Sequence, residues 1–75
     1  MKCCKSLPDR IEGYPLIKVW VEERLVLREA SDKGGVKLKL FQCPVCSAHW
    51  LFKAECVGLQ DWDYTLMRTT DSRLV

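Results

Sequence analysis

The chain has 75 residues, 48% of them hydrophobic, with five cysteines, three tryptophans and a formal net charge of +2. That length allows one small domain, residues 1–75, and the composition excludes a disordered chain. Basic and acidic residues are spread almost evenly: nine Lys/Arg against six Asp/Glu over residues 1–42, three against four over 43–75. This gives no basic stripe of the kind that neutralises a phosphate backbone.

So small a core leaves a thin margin of stability, and folds of this size add a disulfide, a metal or a partner subunit. The opening "MKCCKSLPDR" has no apolar run behind its charge. The longest mostly apolar stretch, "YPLIKVWV", is far too short to cross a bilayer. The expectation is a cytoplasmic protein without a membrane segment. In that compartment closely spaced cysteines read as metal ligands or redox groups before disulfides, and an odd count fits a disulfide framework poorly.

Taken in chain order, "PLIKVWVEERLVLRE" over 15–29 is ambiguous. Val19, Trp20 and Val21 favour strand, with Glu22-Glu23 as a polar turn, and strands are the expected state. Pro15 in a first turn with Val21, Leu25 and Arg28 on one side allows the alternative, an α+β arrangement with a helix over about 16–29. "SDKGG" (31–35) then marks a tight turn between two strands, 24–30 and 36–42. In the second, Val36, Leu38 and Leu40 alternate with Lys37 and Lys39, which reads as a half-buried strand with its lysines outward. Trp50, Phe52, Ala54 and Cys56 alternate with Leu51, Lys53 and Glu55 in another strand. "VGLQDWD" reads as a turn, Tyr64, Leu66 and Arg68 share a face of a short last strand, and "TTDSRLV" reads as a loose tail. The expected fold is mainly β, small and antiparallel.

The densest chemistry is "FQCPVCSAHW" (41–50). Two cysteines at C-x-x-C spacing can aim both sulfurs at one ion, and Pro44 pre-sets the backbone angle such a turn needs. A tetrahedral Zn2+ needs two more ligands. Cys3 and Cys4 are the best second pair, giving a four-cysteine site of Cys3, Cys4, Cys43 and Cys46. Its weak point is that successive side chains of an extended chain point apart. The competing set replaces them with His49 and Cys56. If 49–56 is one strand, those two lie on opposite faces and about 23 Å apart, at ~3.3 Å per residue. Cys56 reads as a small buried hydrophobe on the Trp50/Phe52 face. A thiol redox pair is a further reading, although C-P-x-C in such proteins opens a helix within a βαβ unit.

His49 is the lone histidine, and no serine or carboxylate stands in an evident constellation with it, so no catalytic residue is assigned and an enzyme is not expected. Function is then expected on the surface. Asp61, Trp62, Asp63 and Tyr64 combine aromatic anchors with carboxylates, as a protein interface facing a basic partner would. Arg24, Arg28, Lys37 and Lys39 form a second surface, interspersed with Glu22, Glu23 and Glu29. It would serve a nucleic-acid partner, the less favoured class.

The layout "MKCC", a strand pair, "LFQCPVCSAHW" and a short last strand resembles small bacterial zinc-ribbon-like proteins, some grouped with immunity proteins of polymorphic toxin systems. The resemblance rests on Cys3, Cys4, Cys43, Pro44, Cys46 and Trp50. Those proteins often carry glycine directly after the second cysteine, where this chain has Ser47. The resemblance implies a stoichiometric inhibitor that binds a cognate toxin and catalyses nothing, with the DWD segment masking a basic active site.

Overall fold

The computed structural model describes residues 3–59 and 61–74. Five strands form one open sheet: β1 (Arg10–Glu12), β2 (Val26–Lys33), β3 (Val36–Gln42), β4 (His49–Cys56) and β5 (Trp62–Thr69), with one helix, α1 (Tyr14–Arg24), between β1 and β2. The order across the sheet is β1-β5-β4-β3-β2 and every neighbouring pair is antiparallel. The mainly β expectation holds. β3 and β4 lie where the period-2 patterning put them, and the hairpin strand expected over 24–30 runs instead over Val26–Lys33.

Within 15–29 the preferred strand reading gives way to the alternative, a helix, which runs over Tyr14–Arg24 rather than about 16–29. Gly13, at φ 99°, turns the chain out of β1, and its carbonyl accepts the first helical bond from the Ile17 N–H at 3.1 Å. Pro15 sits in the first turn, where its missing N–H costs nothing. The stripe Ile17, Trp20, Val21 then packs against the core, while Leu16 and Val19 face water. Burial of that stripe outweighs the strand preference of Val19–Trp20–Val21. Leu25 resumes an extended conformation and ends the helix, its N–H reaching the Val21 carbonyl at 3.0 Å.

Register fixes the two faces of the sheet. Trp50 stands between Phe41 and Arg68, and Phe52 between Lys39 and Leu66. These positions, with Ile11 of β1, face α1 and the N-terminal segment and carry the core of Cys4, Leu7, Ile11, Ile17, Trp50, Phe52 and Leu66. Lys37 and Lys39 therefore lie on the core-bearing face, not on an outward one. Leu38 and Leu40 occupy the opposite face, where the segment 70–74 lies across them. That segment is not a free tail, since the Leu74 N–H donates to Glu29 Oε2 at 2.9 Å.

β2 ends the sheet, and seven of its eight residues are exposed. Its ladder with β3 slips between Leu27 and Glu29, leaving Arg28 as a bulge whose Nε donates to Gln42 Oε1 at 3.0 Å. Arg24 belongs to α1, with its guanidinium over Trp20. The expected Arg24/Arg28/Lys37/Lys39 surface is thus divided among a helix, a bulge and a strand.

Candidate metal centre

Two chain segments meet at the β3–β4 end of the sheet. In the first, Cys3 is extended (φ −74°, ψ 151°) and Cys4 opens a single 3-10 turn over Cys4–Ser6, closed by the Leu7 N–H on the Cys4 carbonyl at 3.0 Å. The change of conformation between the two residues removes the obstacle of adjacency, because the pair no longer lies on one extended run. In the second segment, the Cys43 N–H donates to the Ala48 carbonyl at 2.8 Å and the Ser47 N–H to the Cys43 carbonyl at 2.9 Å. Ser47 holds φ 65°, a left-handed conformation that glycine adopts most cheaply.

The sulfurs of Cys3, Cys4, Cys43 and Cys46 all lie within 4.8 Å of one another, with Cys4 and Cys46 3.4 Å apart. A tetrahedron with metal–sulfur bonds of about 2.3 Å has edges of about 3.8 Å. The cluster is therefore already near the size that four thiolates around one ion require, and these residues can hold a metal ion. Cys4 and Cys43 are fully buried, Cys3 is half-buried, and Cys46 is at the surface.

The buried pair is electrostatically polarised. Burial alone raises both thiols. At Cys43 the backbone N–H groups of Cys46, Cys4 and Val45 outweigh burial and lower the thiol from 9.0 to about 6. At Cys4 burial dominates, with Cys46 and Cys43 adding to it against a contribution from Trp50, and the thiol is pushed up to about 11.

The groups beside Cys4 come from two strands. The Arg68 guanidinium lies 4.6 Å over the Trp50 ring, with Nη1 3.9 Å from the Cys4 sulfur. Asp9 braces it: Arg68 Nε donates to Asp9 Oδ1 at 3.0 Å, and the Arg68 backbone N–H to the Asp9 carbonyl at 2.8 Å. The Trp50 indole N–H is buried with no well-aligned acceptor, yet favours the Cys4 thiolate. Arg68 would offset part of the charge that four thiolates around an ion would concentrate, and outer groups of this kind tune thiolate sites. Sequence reasoning placed Arg68 only in a strand. Its signal was a charged residue sharing a face with Tyr64 and Leu66.

His49 and Cys56 lie outside the cluster, at the two ends of β4. His49 is half-buried on the face opposite Trp50. Cys56 is not the buried hydrophobe expected. It is exposed, and its thiol donates to the Gly58 carbonyl at 2.9 Å.

The segment Asp61–Tyr64 does not form one surface. Trp62 and Tyr64 lie on the core-bearing face, Trp62 under the Lys37 ammonium at 5.6 Å and Tyr64 with its ring 4.8 Å from that of Tyr14. Asp63 points to the other face, near Arg10 and Lys53. Asp61 sits in the β4–β5 turn, its carbonyl bonded to the Val57 N–H at 3.0 Å.

In comparisons with known proteins, no family model, no curated protein and no solved structure matches this chain. The class that fold and site define is a small, single-sheet, mainly β protein with a four-cysteine cluster able to hold a metal ion.

Proposed function

We propose that Cys3, Cys4, Cys43 and Cys46 hold one Zn2+ in a structural role, and that the protein is a non-catalytic module acting by capture of a macromolecular partner. The observation that carries the metal reading is the convergence of four sulfurs within 4.8 Å from two distant segments, Cys4 and Cys46 lying 42 positions apart. Four soft thiolates with no open position favour zinc in a closed, structural site. The context weighs against a redox pair. The C-P-V-C loop joins two antiparallel strands, and among the described residues no helix follows Cys43 to lower its thiol through a dipole.

Zinc binding in small peptides supplies about 10–16 kcal/mol at neutral pH, more than a core of this size provides. A metal assigned to folding leaves activity to the surface, and the exposed Tyr14 and Trp62 on the core-bearing face support capture of a partner. Native mass spectrometry of the chain as purified, without added reductant and before and after a chelator, tests the reading. One retained zinc per chain, with a collapse of thermal stability when it is stripped, is the expected result. A metal-free chain two protons light, with the bond mapped by peptide digestion to Cys43 and Cys46, would instead make them an oxidised pair.

A further inference from the structure

The core-bearing face is only partly covered. α1 packs over β1 and β5, and toward β3 the face opens into two adjoining hollows. One, of about 240 Å³, lies between α1 and the strands and is lined by Tyr14, Ile17, Lys18, Leu27 and Phe41 among others. The second, of about 320 Å³, is lined by Tyr14, Lys37, Lys39, Phe52, Trp62 and Tyr64. Tyr14, Lys39 and Phe52 border both, so the hollows form one trough.

Its chemistry is a repeated pairing of ammonium and ring. The Lys37 ammonium lies 5.6 Å from the Trp62 ring centroid and that of Lys39 lies 6.0 Å from Phe52. The two lysines are two positions apart on one strand face, roughly 6.6 Å along it. Among the described residues neither takes part in an ion pair, and no carboxylate lines the second hollow. Glu22 stands at the rim of the first hollow, and Asp32 faces Lys37 across the β2–β3 ladder. Trp62 and Tyr14 offer exposed rings, at 38% and 44% of their full surface.

An occupant matching this surface must alternate flat rings with negative charge. An acidic peptide supplies the charge but a ring only where it happens to carry an aromatic residue, and a nucleic-acid duplex keeps its base faces stacked inside. A single strand presents both, and grooves that combine lysines with stacking rings bind it with little sequence preference. We infer that the trough binds single-stranded nucleic acid, with Trp62 and Tyr14 stacking on bases and Lys18, Lys37 and Lys39 meeting phosphates. This rests on the capture reading but not on the identity of the metal.

Fluorescence anisotropy of a labelled oligothymidylate, titrated with the zinc-loaded full chain at several salt concentrations, tests it. Three phosphate contacts give a slope of log affinity against log salt of about −2, at about 0.7 per contact. Trp62→Ala should weaken binding about tenfold or more at an unchanged slope, and Trp62→Phe should restore it. Lys37→Gln with Lys39→Gln should flatten the slope by roughly two-thirds. Four results would overturn the proposal: no binding at low salt by a chain that holds zinc and melts normally, equal binding of a matched duplex, equal competition by polyglutamate, or indifference to Trp62→Ala. The first leaves the metal clasp standing. Equal competition by polyglutamate would keep capture and change the class of partner to an acidic protein.

Discussion

The two ends of the sheet reverse the chain by different means. At one end β2 and β3 are joined by Gly34 and Gly35, both with positive φ (55° and 81°). At the other, β3 and β4 are joined by the Cys43–Ser47 loop, where Ser47 holds φ 65° without a glycine. The glycine turn is self-sufficient, since paired glycines supply the twist a two-residue hairpin needs. The cysteine loop places a side-chain-bearing residue in a conformation that costs roughly 1–2 kcal/mol, and it buries the Cys43 thiol, which makes no use of the sheet ladder. Local turn chemistry closes one end, and a contact between distant segments closes the other.

The sharpest way to break this contrast is Cys43→Ser. It should abolish zinc retention in native mass spectrometry and lower stability by more than a domain of this size can lose, leaving no cooperative thermal transition. Next in size is Arg68→Met, which removes the guanidinium beside Cys4. Zinc competition with a chromophoric chelator should show affinity reduced about 10- to 100-fold, with the zinc-loaded sheet retained in circular dichroism. Unchanged competition would reduce Arg68 to a ring-packing residue.

Smaller and opposite effects are expected from exchanging the turn residues. Ser47→Gly should raise the denaturant midpoint by the equivalent of about 1 kcal/mol, by relieving left-handed strain. Gly35→Ala should lower it by about the same amount. An added Cβ there meets Cys56 Cβ at an ordinary 3.9 Å, so the cost is backbone conformation alone.

The smallest test is pH, on the metal-free reduced chain held folded with an osmolyte. Cys43 has a depressed folded value, so its contribution is complete above 9.0 and fades as pH falls toward about 6. Cys4 has a raised value, so its contribution is complete below 9.0 and is lost as pH climbs toward about 11. Urea midpoints should peak near pH 9. Cys43→Ser should remove the acid limb and Cys4→Ser the alkaline one.

What could be read from the residues divides along physical lines. β3 and β4 were legible because alternation survives in any half-buried strand. Which face carried the core was not, because alternation is symmetric and both faces of β3 meet apolar groups. Lys37 and Lys39 were consequently turned outward in the reading, when they border the aromatic trough. α1 was only the second reading of 15–29, because β-branched and aromatic residues at 19–21 masked a stripe at 17, 20 and 21 that only tertiary packing selects. β1, with one buried residue in three, leaves almost no pattern. The C-P-V-C spacing announced two of the clustered cysteines, while the bend that brings Cys3 and Cys4 together has no signature in their neighbours.

The pairing of β1 with β5 has a consequence for how the protein comes into being. Arg10, Ile11 and Glu12 pair with Met67, Leu66 and Thr65, so β1 is made well before the strand it must wait for. During synthesis the Cys3–Cys4 segment emerges before the C-P-V-C loop, and the strand that secures its neighbours is still absent when Cys43 and Cys46 appear. Zinc meeting those thiols early would join the two cysteine segments before β5 exists, shortening the search for the remaining long-range contacts. The clasp would then act as a timekeeper in biogenesis, deciding when the Cys3–Cys4 segment stops wandering.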